Sequence, residues 1–248
     1  MQRFRVATQP RDHARAANSP CSTCDVNELV FCSALGDAER PRLAAIVTEV
    51  KAEPQQTIFY EGDPAQYVFN VTKGAVKLYK LMADGRRQVT GFLFRGDFLG
   101  LALNTSYAYS SEAMLPTRLC RFPRDDLERL LDEFPRLERR LLAMAGNELI
   151  AAQDQMLLLG RKTARERLVS FLLLLGERSE RRGDAASPVM LPMTRNDIGD
   201  YLGLTTETVS RAFTELRKSG LIALDGPNDV RLVKPDALED IAAGESAD

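Results

Sequence analysis

Residues 193–222 read MTRNDIGDYLGLTTETVSRAFTELRKSGLI, and their spacing decides the character of the C-terminal part of the chain. Two short helices are expected, joined at Leu202-Gly203-Leu204. Thr194 is placed to cap the first, with Asp197 three residues on completing a capping-box-like pair. Ile198 and Leu202 lie four apart on its inner face. In the second helix Val209, Phe213 and Leu216 recur at helical spacing and turn inward. The opposite face collects Glu207, Ser210, Arg211, Thr214 and Lys218, and Gly220 stands at the C-terminal stop. A helix pair with a short Gly turn and an exposed polar second helix fits a DNA major groove. Periodicity alone also suits a solvated surface hairpin, but the residues after Gly220 weigh against that. Residues 221–224, a turn at Asp225-Gly226-Pro227-Asn228 and residues 230–233 read as a β-hairpin, with Pro227 keeping the loop out of the strands. The expected product is a winged helix-turn-helix.

The whole chain has 248 residues, 44% hydrophobic and 27% charged, which is room for two modest domains and a connector. No apolar run approaches the roughly 20 residues that span a bilayer. The N-terminus, MQRFRVATQPRDHARAANSP, lacks the apolar segment of a signal peptide. A loose tail and a cytoplasmic protein without membrane attachment are therefore expected. A net charge of −2 argues against non-specific coating of nucleic acid but not against a sequence-specific reader, which needs only a local basic surface. Arg195, Arg217, Lys218 and Arg231 are candidate phosphate contacts, or simply solvated charges. An enzyme is not expected: there is one histidine, His13 in the tail, with no P-loop, dinucleotide fingerprint or nucleophile–base pair.

Four cysteines remain to be explained. Cys21, Cys24 and Cys32 form a C-x2-C-x7-C run in a short polar arm, and Cys120 lies far away in a strand-like segment. Four thiolates, three of them local, suit an iron–sulfur cubane, in which each iron takes one thiolate. Disulfides do not suit a reducing compartment. A zinc site could use the same four, although zinc more often has paired C-x2-C knuckles. Cys120 taken alone could be a buried small hydrophobe.

Between arm and helix-turn-helix, from about residue 56 to 123, short β-like runs alternate with Gly-Asp turns, as in an antiparallel barrel or roll. A helix is expected from Pro135 to about Leu159. Leu142, Ala145, Leu149, Ala152, Met156 and Leu159 step by three and four along it, a coiled-coil seam suited to a second copy of the chain. Leu137, Leu141 and Met144 form a neighbouring stripe for packing on the roll, and both stripes could instead be intramolecular core. Gly160-Arg161-Lys162 marks a boundary, after which Thr163 can cap a helix over residues 164–175. The expected architecture is α+β in four parts: a tail and cysteine arm over 1–33, an antiparallel β-roll over 34–134, a dimerisation helix over 135–160, and a winged helix-turn-helix over 161–248.

In this order of parts the chain resembles the CRP/FNR superfamily (cyclic-AMP receptor protein and fumarate-nitrate reduction regulator) over nearly its whole length. Gly74-Ala75-Val76-Lys77, Gly96-Asp97-Phe98-Leu99-Gly100 and Glu207-Thr208-Val209-Ser210-Arg211 carry the resemblance. It implies a cyclic-nucleotide-binding-like roll and a homodimer on double-stranded, palindromic DNA. Cyclic-AMP binders carry Gly-Glu after the Gly-Asp-Phe turn and an Arg-Ser pair downstream. Here the matching positions are Gly100-Leu101 and Ser111-Glu112. Loss of the arginine, with Glu112 set to repel a phosphate, makes cyclic-nucleotide binding unexpected.

The E-x-x-S-R recognition helix and the cysteine arm resemble instead the oxygen-responsive FNR branch, in its FnrL, FnrN and FixK-like subgroup. The resemblance implies a 4Fe–4S cluster on Cys21, Cys24, Cys32 and Cys120, low-oxygen dimerisation, anaerobic regulation and TTGAT-like half-sites. Arg211 would contact guanine, Glu207 a base amino group and Ser210 a thymine, with Thr206, Arg195 and Lys218 beside them. The 83–87 loop sits where such regulators touch RNA polymerase, and it is also an ordinary hairpin tip. Some family members place an acid at the Ala152 position, so this wholly apolar seam implies a stronger basal tendency to dimerise. Three other readings stay open: a zinc or thiol-redox sensor on the same DNA-binding frame, a small-molecule effector lined by residues 99–103, and an iron–sulfur electron carrier, which the lack of a catalytic constellation disfavours.

Overall fold

The computed structural model describes residues 21, 24, 26, 28–101, 105–226 and 228–244. The expectations for the tail with His13, for residues 102 and 103 and for Pro227 lie outside them. The chain divides into two compact units, 1–80 with 91–146 and 81–90 with 147–248.

In the first unit a 3-10 turn, Phe31–Ala34, and a one-turn helix α1 (Arg40–Ala44) precede eight strands. These are β1 (Thr48–Ala52), β2 (Thr57–Phe59), β3 (Tyr67–Lys73), β4 (Ala75–Leu81), β5 (Arg87–Phe94), β6 (Phe98–Leu99), β7 (Ser110–Ala113) and β8 (Thr117–Pro123). They form two four-stranded sheets, ordered β1-β8-β3-β6 and β2-β7-β4-β5, with antiparallel pairing in every register resolved. This is the expected roll. Helix α2 (Arg124–Glu133) and the long α3 (Pro135–Arg161) follow.

Strand periodicity of two sorts the side chains onto two faces. On β3 and β8, Phe69, Val71 and Leu119 enter a core with Phe59, Val76, Leu93, Leu99 and Tyr107. Their neighbours Val68, Cys120 and Phe122 face the other way, into a second core with Phe31, Leu35, Leu43, Leu127, Leu130, Leu137 and Leu141. Leu137 and Leu141, with Met144 against them, thus pack within this unit as their stripe suggests. Apolar contacts help tie the arm down. The Phe31 ring lies 5.3 Å from that of Phe122. At Gly96, φ is +96° and a Cβ would stand 2.8 Å from Leu29 Cβ, so only glycine lets the arm lie this close.

In the second unit α4 (Ala164–Arg181) begins with a full capping box between Thr163 and Glu166 and runs six residues past the expected 175. Leu175 and Gly176 are both buried, so packing carries the helix past the glycine. Helices α5 (Arg195–Leu202) and α6 (Thr206–Lys218) are the anticipated pair. The wing is a three-stranded sheet: β9 (Val189–Met190) joins β10 (Ile222–Leu224) and β11 (Asp229–Leu232) in the order β10-β11-β9. A final helix α7 (Pro235–Ala243) packs on α4. The last turns of α3 belong here too, which is why the division falls at 146–147, whereas composition suggests a step at 160–161. Leu158 is buried, Gln155 Nε2 donates to Tyr201 O at 2.8 Å, and Arg167 Nη2 donates to Leu159 O at 2.8 Å. Among the described residues no helix is long and apolar enough to cross a membrane.

Candidate metal centre and nucleic-acid interface

Thr194 Oγ1 accepts from Asp197 N and the Asp197 carboxylate accepts from Thr194 N, the reciprocal box that starts α5. Gly203, at φ +64°, supplies the left-handed turn into α6, which Thr205 caps by accepting from Thr208 N. Ile198, Leu202, Val209 and Leu216 are fully buried and Phe213 nearly so. That packing leaves Glu207, Ser210, Arg211, Thr214 and Lys218 exposed on one face of α6.

Among the described residues the Arg211 guanidinium donates only to Thr208 Oγ1, at 3.4 Å, so it is available outward. The Glu207 backbone amide and the Thr205 hydroxyl hold the Glu207 carboxyl below the usual range, leaving it an ionised acceptor. Ser210 Oγ donates to Thr206 O at 2.8 Å, and Thr206 Oγ1 donates to Asn196 Oδ1 at 3.2 Å. Two candidate phosphate contacts are already engaged. Arg195 stacks on Phe213 at 3.4 Å from the ring centroid, and burial lowers its pKa. Arg231 makes two 2.9 Å bonds to Asp225 in the wing. Also in this unit, Arg87 donates to Asp197 Oδ1 at 2.9 Å and to Asp200 Oδ2 at 3.1 Å, so the end of the 83–87 loop is paired with α5.

The four cysteines meet in the first unit. One cavity is lined by Cys21, Cys24, Cys32 and Cys120, with Arg40, Asn70 and Phe122 among its other walls. None of the four is in a disulfide. Burial, then the neighbouring Cys21, Cys120 and Cys24, pushes the Cys32 pKa well up. Burial, followed by Cys21, Cys24 and Glu49, pushes Cys120 to about 12. The mutual repulsion means that thiolates formed here need a shared cation to offset them. Among the described residues no three potential ligands gather tightly enough to hold one ion. All four cysteines line the one cavity, and four thiolates are a donor set that fits a multi-iron cluster with one thiolate per iron. Two polar side chains missed in the sequence share the wall. Among the described residues Arg40 Nε is buried with no partner, and so is the oxygen of the Asn70 amide. The pairing of β3 with β8 brings Asn70 opposite Cys120, a register that no local pattern announces.

Two other expectations change in detail. Glu112 is not a bare charge: Lys77 Nζ lies 2.8 Å from it, both side chains largely buried. Its field at the Ser111 position is therefore offset by Lys77. Inside the roll Phe59 and Tyr107 stack with centroids 3.8 Å apart, filling its interior. On α3, Leu142, Leu149 and Met156 are 63%, 62% and 72% exposed, and Ala152 is exposed, while Ala145 and Leu159 are half-buried. Ile150 and Leu157, seven residues apart and both exposed, widen the stripe; their spacing was the signal that could have found them.

Residues 49–134 match the family model of the cyclic nucleotide-binding domain, and residues 166–241 that of the Crp-like helix-turn-helix domain. The transcriptional activatory protein AadR of Rhodopseudomonas palustris is 39% identical over 224 residues, covering 90% of this chain and 93% of that protein. The anaerobic regulatory protein of Pasteurella multocida is 32% identical, over 83% of this chain and 77% of its own length. The structure of FixK2 from Bradyrhizobium japonicum superposes with a TM-score of 0.74 at 41% identity, covering 79% of this chain and 97% of that one.

Proposed function

Because the chain belongs to the CRP/FNR family of transcription regulators, on its FNR/FixK-like side, we propose that it is an oxygen-responsive member holding a 4Fe–4S cluster on Cys21, Cys24, Cys32 and Cys120. Regulation of transcription and DNA binding through the helix-turn-helix come with the family; its relatives are regulators, not enzymes. The observation that carries the finer reading is the single cavity walled by all four cysteines, three from the arm and one from β8. A relative named for anaerobic regulation is consistent with it.

Bound there, the cluster supplies an oxygen-labile cross-link between arm and roll. The rest is done by side chains. Cys120 offers a thiol from a rigid strand, while the arm brings three from a segment anchored by Phe31 and Leu29. Phe31 packs the arm into the core that α2 and the start of α3 share, with Leu137 and Leu141 in its wall. The arm and the exposed α3 stripe are thereby coupled through common packing, which is how ligation biases the population of dimers. The dimer sets two α6 helices for successive major grooves of a palindrome with TTGAT-like halves. Arg211 reads guanine, Glu207 accepts from a base amino group and Ser210 approaches a thymine. The stacked Phe59 and Tyr107, and serine at position 111, support a roll that takes no cyclic nucleotide.

The test is iron and acid-labile sulfide per chain after anaerobic purification, with operator binding measured before and after air. About four of each, and affinity that falls as the colour bleaches, are expected. Zinc in place of iron, or binding indifferent to air, would leave a DNA-binding regulator with another signal.

A further inference from the structure

We propose that Asn70 is a positioning residue for the cluster site: its side-chain amide donates to the Cys32 sulfur and thereby sets how readily oxygen destroys the cluster. The inference rests on the cluster reading above. Asn70 occupies the middle of β3 and is 1% exposed. It shares a strand face with Val68, directly opposite Cys120 in the antiparallel register. Its Nδ2 lies 3.7 Å from Cys32 Sγ, the only hydrogen bond from its side chain among the described residues, and its Oδ1 has no partner there.

A buried amide so poorly matched costs folding free energy, and a valine would suit this strand better. The residue is thus placed against the interest of the fold but within reach of a ligand. An N–H···S bond removes charge from a thiolate, favours the electron-rich state of the cluster and raises its reduction potential. With a higher potential, an oxidant such as oxygen takes electrons from the site less readily. Asn70 also bridges the two halves of the ligand set, since its backbone pairs with Cys120 and its side chain meets Cys32 of the arm.

Valine and threonine differ by a methyl for a hydroxyl and both suit a strand, so Asn70→Val and Asn70→Thr separate the donor from its volume. Metal-free Asn70→Val should melt at a higher temperature than the native chain. Loaded anaerobically, it should show a lower reduction potential and bleach in air about tenfold faster. Asn70→Thr, which keeps a donor, should recover part of both. Opposite signs in the metal-free and loaded forms are what a purely structural residue would not produce. A native potential and bleaching rate in Asn70→Val, or an Asn70→Thr protein no better than Asn70→Val, would overturn the proposal. A native chain that takes up no iron and sulfide would instead sink the cluster reading itself, before Asn70 is in question.

Discussion

The outward placement of Arg211 was legible in the sequence because it needs no partner within the fold: helical spacing alone puts it outward, and the side chain is exposed with one weak contact to Thr208. Replacing it with alanine should cost about 1–3 kcal/mol of operator affinity and relax the preference at one base pair, read by binding to a panel of single-base variants. Equal loss on every sequence would make it a phosphate contact. Arg195 and Arg231 looked the same in the sequence and are different in the structure. One lies on the Phe213 ring and the other is paired with Asp225, so neither is a loose surface charge. Glu112 is the same lesson in reverse. Its charge is plain in the sequence, but Lys77 stands opposite it across the β4–β7 ladder, and that pairing joins strands far apart in the chain.

Among elements, those with a repeating pattern or a capping signature were readable: the helix pair, α3 and the alternating strands of the roll. Those set by tertiary packing were not. The two residues of β9 are too few to show a period and become a strand only by pairing with β11. Helices α2 and α7 lie at junctions where the pattern changes, with buried Leu127, Leu130, Leu238 and Ile241 fixed by neighbours rather than by strong caps. The α3 stripe was readable as an apolar row on one helix, though Ala145 and Leu159 are half-buried and Ile150 and Leu157 broaden its exposed part. So much uncovered apolar side chain on one helix marks a contact surface, and the proposed dimer assigns it to a second copy of the same stripe. In that dimer Ala152→Asp would put two like charges across the seam. The dimer dissociation constant measured by analytical ultracentrifugation should rise tenfold or more, about 1.4 kcal/mol. An unchanged constant would remove residue 152 from the contact.

For the whole molecule, the site was half legible. The sequence proposes one set from all four cysteines; what it does not show is the β3–β8 register that places Cys120, and Asn70 opposite it, at the same cavity. The cysteine on β8 is therefore the informative one to remove. Cys120→Ala should fold, since alanine fills most of the same small volume, yet retain little iron. Its operator binding under low oxygen should drop to that of the native protein in air. Full anaerobic binding by this variant would uncouple the arm from the DNA-binding state. The order of the four cysteines along the chain also has a consequence during synthesis. The arm leaves the ribosome first, and almost the entire roll must be translated before Cys120 appears, on the order of ten seconds at ordinary elongation rates. Through that interval the nascent chain carries three thiols and no fourth. On the proposed ligation, only a polypeptide that has completed and paired its last roll strand would close the set, and acquisition of the cluster would double as a record that the roll has finished folding.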